Sequence, residues 1–227
     1  MNVFTVSMTR QEAKNGAVYL LVSLFMLPTL LFSMGGIFEF SDAVLNFLYF
    51  LLNFLAVVTI FRRFLIRSGA DALEKPKRIF SVSFRFFLIY IVSNLLLSQL
   101  ILYLYPDFSN QNDSNIQQMT GQNGFLMILG TVFFVPLTEE CLYRGLLFGL
   151  MRRRSRPAAY LVSVPVFCLI HVMGYVGSVP AEVLLLSFAQ YIPAGVLLAL
   201  AYERADSIFA PILIHTAVNA LGMIAAR

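Results

Sequence analysis

Long apolar stretches alternate with short polar segments along almost the whole chain. Each stretch has about 20 residues or more, the length that a helix needs to cross the hydrocarbon core of a bilayer. Helices are expected because lipid requires every backbone polar group to be paired within the membrane-spanning structure. The pattern therefore predicts an all-α, polytopic membrane helix bundle with about seven transmembrane helices at 17–38, 41–61, 79–105, 124–151, 157–177, 181–202 and 207–226.

The composition excludes an ordinary soluble domain, since 59% of the residues are hydrophobic and 12% are charged. The net charge of +4 would suit a nucleic-acid partner, but its distribution follows membrane topology instead. By the positive-inside rule we expect a cytoplasmic N-terminus, an outside C-terminus, contact with lipid and no nucleic acid. Of the 16 Lys and Arg residues, 12 lie before the first predicted span or in the segments after the second and the fourth: Arg10 and Lys14, then Arg62, Arg63, Arg67, Lys75, Lys77 and Arg78, then Arg152, Arg153, Arg154 and Arg156.

We interpret the chain, 1–227, as a single membrane domain of a bacterial plasma membrane. The first apolar stretch is too long for the core of a signal peptide, so we expect it to be retained. The segment 67–78 breaks the apolar pattern and is expected to be a cytoplasmic connector, and the polar stretch 106–124 a solvated outer loop. Residues 1–66 are expected to support the fold, whereas 124–226 contain the polar residues that suggest chemistry.

Glu139, Glu140 and Arg144 lie within the apolar stretch 124–151. Ionisable residues at membrane depth are costly and indicate a functional site. Glu140 and Arg144 are four residues apart on one helical face, so the spacing predicts an ion pair. Glu139 points about 100° away from that face and has no local basic partner. We therefore expect Glu139 to be the carboxylate that is available for chemistry.

The chain has two histidines, His171 and His215, and both lie in predicted spans. At about 1.5 Å per residue, Glu139, His171, His215 and Asn219 reach a similar depth from the same membrane face. His215 and Asn219 share one helical face, as do Phe167 and His171. A carboxylate with a histidine can deprotonate a water molecule, while a second histidine and a carboxamide can donate to an oxyanion. This set of groups predicts peptide hydrolysis without a covalent intermediate.

Other membrane-embedded mechanisms lack their sequence motifs, because the chain contains neither Gly-x-Ser-x-Gly nor His-Glu-x-x-His. Two alternatives remain open. One is a membrane scaffold or regulator of a partner protein, in which the polar layer serves packing alone. The other is the same hydrolysis with a zinc ion bound by Glu139, His171 and His215, a plausible ligand set for an open tetrahedral site.

Three motifs in order resemble those of the CAAX protease and bacteriocin-processing family. They are Glu139-Glu140-x-x-x-Arg144, Phe167-x-x-x-His171 and His215-x-x-x-Asn219. The resemblance covers about 124–220 and implies an all-helical intramembrane glutamic endopeptidase that needs no cofactor. It implies that Glu139 activates water with His171, that His215 and Asn219 form the oxyanion hole, and that Glu140, Arg144 and Phe167 support the site.

The same resemblance implies a peptide or protein substrate but leaves its identity open. Some relatives cut after a prenylated cysteine, whereas the short bacterial ones are linked to pheromone or bacteriocin maturation, self-immunity and surface-protein regulation. The oligomeric state is likewise undetermined by the sequence.

Overall fold

The computed structural model describes residues 4–225. In this part of the chain nine helices follow one another without any strand, which confirms the all-α prediction. Six helices are long and apolar enough to cross a membrane, and the last is shorter, with 17 residues. Residue 226, the predicted end of the last span, lies outside the described residues. The helices are α1 (Arg10–Phe38), α2 (Asp42–Ile60), α3 (Arg62–Glu74), α4 (Pro76–Leu104), α5 (Gln111–Gln122), α6 (Gly124–Arg152), α7 (Arg156–Tyr175), α8 (Ala181–Ala205) and α9 (Phe209–Ala225).

Helix α1 begins at Arg10, well before the predicted start at residue 17. The cause is a capping box, in which the Thr9 side chain accepts from the Glu12 N–H and the Glu12 carboxylate accepts from the Thr9 N–H. Such caps pair the amides that a helix start leaves without an intrahelical partner. The first turns are therefore helical although their residues are polar, and the predicted boundary was wrong.

The connector expected at 67–78 is helical, because most of this segment belongs to α3 and to the first turn of α4. Phe64 and Ser68 are buried on one side of α3, whereas Arg63 and Arg67 are exposed. Residues four apart lie on one helical face. The segment is an amphipathic helix, which a search for long apolar stretches does not detect.

The polar stretch 106–124 contains helix α5 instead of the expected solvated loop. The Asn110 side chain caps the start of the helix, and its amide nitrogen also donates to Gln190 Oε1 at 2.8 Å. At the other end, Gln122 Oε1 accepts from the Ala43 N–H at 3.0 Å. The polar side chains therefore dock α5 onto α8 and α2, and tertiary partners override the loop-like composition.

Helix α6 is the central helix of the bundle, since it packs against α1, α2, α7, α8 and α9. The buried share of its most apolar stretch is 44%, against 6% for α4. On α4 the exposed side chains Phe80, Phe84, Leu88 and Val92 recur every four residues, as expected for a face in contact with lipid. The two predicted glutamates thus lie on the helix that is best shielded from lipid.

Residues 4–9 form an arm across one end of the bundle. At this end the helices are joined by segments rich in Arg and Lys, which we call the basic connections. The Phe4 ring stacks on Tyr202 with 4.2 Å between centroids, and the Thr5 N–H donates to Asp206 Oδ1 at 3.0 Å. Arg153 donates to the Met8 carbonyl at 3.1 Å. These contacts attach the start of the chain to α6 and to the end of α8.

Glu12 joins this region to α3 through a buried carboxylate that is 5% exposed. Its Oε1 accepts from the Phe64 N–H at 2.6 Å, and its Oε2 accepts from Arg67 at 3.2 Å. Because Glu12 also completes the cap of α1, one side chain satisfies donors on two helices.

We predict that Glu12→Ala lowers the free energy of unfolding by about 2–3 kcal/mol, because it leaves the buried Phe64 N–H without an acceptor. Glu74→Ala, at an exposed position on α3, is the control and should change little. Thermal unfolding in detergent can be followed with a thiol-reactive fluorophore, since Cys141 and Cys168 are both free and buried. Equal unfolding temperatures for the two variants would contradict this role.

Candidate active site

Glu139 and His171 face each other from α6 and α7, with 3.9 Å between Glu139 Oε2 and His171 Nε2. His171 Nδ1 lies 2.8 Å from the Phe167 carbonyl oxygen, which can only accept, so Nδ1 carries the proton. In the neutral ring Nε2 is then an acceptor. Glu139 Oε2 is buried and has no hydrogen-bond partner within residues 4–225. Two acceptors at this separation can both accept from a single water molecule.

The backbone of α6 changes its hydrogen-bonding pattern on both sides of the glutamates. Leu129–Phe134 and Glu140–Phe148 are π-helical, with a regular α-helical turn, Val135–Glu139, between them. Pro136 contributes to this change because it has no N–H to donate to the preceding turn. Short π-helical segments are rare in proteins as a whole, but they occur frequently at functional sites. Here they set the directions in which the two adjacent carboxylates point.

Glu140 and Arg144 form the predicted ion pair, with 3.0 Å between Arg144 Nη1 and Glu140 Oε1. The two side chains are 0% and 2% exposed, so the pair is fully shielded from lipid. Arg144 also donates to the Ala194 carbonyl at 3.3 Å, and its guanidinium lies 4.0 Å from the centre of the Phe167 ring. The pair therefore connects α6 with α8 and α7.

His215 extends this buried cluster to α9, since its Nδ1 lies 2.8 Å from Glu140 Oε1. When Glu140 is ionised, Nδ1 must donate, and a second donor at Nε2 then requires the doubly protonated ring. The Phe167 ring lies 4.7 Å from His171 and 6.5 Å from His215, measured between centroids. Phe167 thus packs against both histidines.

Asn219 lies on the same helix as His215, and its amide nitrogen donates to the Thr131 carbonyl at 2.8 Å. One amide hydrogen is used in this contact with the first π-helical segment, and the other is left for a further acceptor. Neither His215 nor Asn219 lines the cavity that contains Glu139. The oxyanion hole that they are expected to form stays a prediction.

A cavity of about 690 Å³ extends from Glu139 and His171. Its walls combine apolar side chains with tyrosines and carboxamides from α2, α5, α6 and the end of α7. Sequence reasoning missed this cavity because α5 was expected to be a solvated loop. The carboxamides are Asn46, Asn53, Asn112, Asn115 and Gln118, and the tyrosines are Tyr49, Tyr143 and Tyr175.

Tyr191 on α8 is a second feature that sequence reasoning missed. Its ring stacks on His171 at 4.2 Å between centroids, and its hydroxyl donates to Asp113 Oδ1 at 3.3 Å. Asn112 donates to the same hydroxyl at 3.0 Å. Burial raises the pKa of Asp113 above its usual range, and the hydrogen bond from Tyr191 opposes that rise. Through Tyr191, α5 thus contributes to holding the His171 ring.

The proposed zinc ligands Glu139, His171 and His215 do not converge. Within the part of the chain that the structure describes, no three His, Cys, Asp or Glu residues are grouped closely enough to hold a metal ion. His215 instead contacts Glu140. The two histidines therefore belong to different parts of the site.

Residues 121–221 match the family model described as type II CAAX prenyl endopeptidase Rce1-like. The matched segment contains all seven residues of the three motifs, so the finding confirms the resemblance that the motifs indicated. The family is one of CAAX-type endopeptidases, which supports a membrane-embedded hydrolase acting on a peptide or protein. No curated protein and no solved structure matches the chain.

We predict that Arg144→Met lowers the free energy of unfolding by about 3–5 kcal/mol, because it leaves the Glu140 carboxylate buried without its cation. Adding Glu140→Gln to this variant should recover part of the loss, since the buried charge is then removed as well. Arg154→Met, at an exposed position, is the control. Thermal unfolding in detergent measures all three, and a single variant as stable as the control would contradict the prediction.

Proposed function

We propose that the protein is an intramembrane endopeptidase that hydrolyses a peptide bond in a membrane-associated peptide or protein. The observation that carries this proposal is the pair of facing acceptors, Glu139 Oε2 and His171 Nε2, at the wall of a cavity of about 690 Å³. The motif match over 121–221 supports the same class of activity. No metal or cofactor is part of the proposal.

In the proposed mechanism a water molecule donates one hydrogen bond to Glu139 and one to His171. Glu139 accepts a proton as the water oxygen bonds to the substrate carbonyl carbon, which gives a tetrahedral oxyanion. The C–N bond then breaks as Glu139 returns the proton to the leaving nitrogen. His171 orients the water throughout, because the Phe167 carbonyl fixes the tautomer of its ring.

His215 and Asn219 are proposed to donate to the oxyanion, His215 from Nε2 and Asn219 from its remaining amide hydrogen. Donors that are fixed before the reaction stabilise the developing charge more effectively than mobile water does. Glu140 supports this arrangement by binding His215 Nδ1, and Arg144 and Phe167 hold Glu140 and the two rings in place. Neither side chain lines the cavity, so the proposal requires the substrate carbonyl oxygen to reach them beyond the cavity wall.

The cellular role that we propose is one of three: maturation of a bacteriocin or pheromone peptide, self-immunity, or CAAX-type processing. The protein is proposed to lie in a bacterial plasma membrane with its N-terminus in the cytoplasm, as the distribution of basic residues indicates. Each role requires a peptide substrate that reaches Glu139 within the membrane. A scaffold or regulator would instead tolerate the loss of that carboxylate.

We predict that Glu139→Gln and His171→Ala each reduce proteolysis by at least about 10²-fold, because the first removes the group that accepts the proton and the second removes the group that orients the water. Glu182→Gln, at an exposed position in the first turn of α8, is the matched control. Mass spectrometry of membrane and secreted peptides should show one precursor that accumulates in cells with either site variant.

Folding of the Glu139→Gln protein is checked by its unfolding temperature. If the folded variant gives the same peptides as the wild type, the protein is not a protease of this kind, and the scaffold alternative gains support.

A further inference from the structure

The cavity extends in one direction, towards the ends of the helices that carry no basic connection. It is lined there by Asp42 at the start of α2, by Asn112 and Asn115 on α5, and by Tyr175 at the end of α7. The other end of α6 and α7 carries Arg152–Arg156. By the positive-inside rule that end is cytoplasmic. The lining therefore leads from Glu139 to the extracytoplasmic face.

The path from Glu139 to the opposite, cytoplasmic face is closed by packed side chains. Leu142, Leu146 and Phe148 of α6 are each at most 2% exposed. Beyond them, Met8 of the N-terminal arm packs so closely against Gly145 that a Cβ atom at that position would lie 2.8 Å from Met8 Cε. A substrate from the cytoplasm would have to displace both the arm and the core of α6.

The charge of the cavity limits what can bind in it. Asp42 and Glu139 are its carboxylates, and no Lys or Arg occurs among the described residues that line it. A substrate carboxylate would face these anions without a cation to compensate. The carboxamides supply both donors and acceptors, which suit the N–H and C=O groups of an extended backbone.

The length of the cavity fits a short peptide segment. Its lining on α2 runs from Asp42 to Asn53, about 16 Å at a rise of about 1.5 Å per residue. An extended chain advances about 3.3 Å per residue, so about five residues span this distance.

We infer that the substrate enters from the extracytoplasmic face, as an extended peptide segment that is neutral or cationic and carries no carboxylate in the cavity. That the bound segment is a substrate rests on the proposed function, but the entry route and the charge preference can be tested without it. A segment that has already crossed the membrane, such as part of an exported peptide or protein, meets this description. Of the three proposed roles, it fits maturation of an exported peptide and does not fit CAAX-type processing, whose substrate motif ends in a carboxylate.

The test uses two neighbouring positions on α5. Both side chains are exposed, but Gln118 lines the cavity whereas Gln117 does not. Gln118→Cys and Gln117→Cys are each compared with Arg154→Cys on a basic connection, and the buried native cysteines serve as an unreactive background. We expect a membrane-impermeant maleimide to label both α5 variants in intact cells. The Arg154→Cys variant should be labelled only after the cells are lysed.

The charge preference is measured with two methanethiosulfonate reagents of similar size, one cationic with a trimethylammonium group and one anionic with a sulfonate group. The ratio of the cationic to the anionic reaction rate should be about tenfold higher for Gln118→Cys than for Gln117→Cys. Adding Asp42→Asn should lower the ratio at position 118 and leave that at 117 unchanged.

If both α5 variants are labelled only after lysis, the extracytoplasmic entry is wrong. If the rate ratios at positions 117 and 118 are equal, the charge preference is wrong. Labelling of the cysteine in Gln118→Cys should also block proteolysis, so that these cells accumulate the same precursor as Glu139→Gln cells. Labelling of the cysteine in Gln117→Cys should not have this effect. If the labelling and rate results are as expected but Glu139→Gln cells accumulate no precursor, the inference about the cavity stands and the proposed proteolysis fails.

Discussion

The structure depends on one carboxylate, that of Glu140, which lies where neither water nor lipid headgroups reach it. Glu140 is 0% exposed, and its Oε1 contacts both Arg144 and His215. Without these partners a buried charge would cost several kcal/mol. Because the partners come from α6 and α9, and Arg144 also contacts α7 and α8, the requirement to neutralise Glu140 fixes the arrangement of four helices. The cavity and the Glu139–His171 pair are built around this cluster.

The adjacent glutamates differ in environment although they are neighbours in sequence. Glu140 points into the packed cluster, where its Oε1 contacts Arg144 and His215, whereas Glu139 lines the cavity. The boundary between regular helix and π-helix falls between them. A local change from regular helix to π-helix thus allows two adjacent carboxylates to face different surroundings.

The sequence was sufficient for the features that depend on local spacing. Long apolar stretches predicted the membrane helices, and four-residue spacing predicted the Glu140–Arg144 pair. It was insufficient where tertiary contacts decide. Helix α5 looks like a solvated loop until its polar side chains meet α2 and α8, and the stacking of Tyr191 on His171 joins residues that no local pattern relates. The contact of Asn219 with Thr131 depends on a carbonyl in a π-helical segment, whose position the spacing of a regular helix does not predict.

The N-terminal arm has a consequence for the order of biosynthesis. Thr5 is synthesised 201 residues before its hydrogen-bond partner Asp206. Phe4 likewise has no ring to stack on until Tyr202 has been made and α8 has entered the membrane. Docking of the arm must therefore be among the last steps of assembly, and until then the end of α6 that it covers stays accessible to chaperones and to proteases.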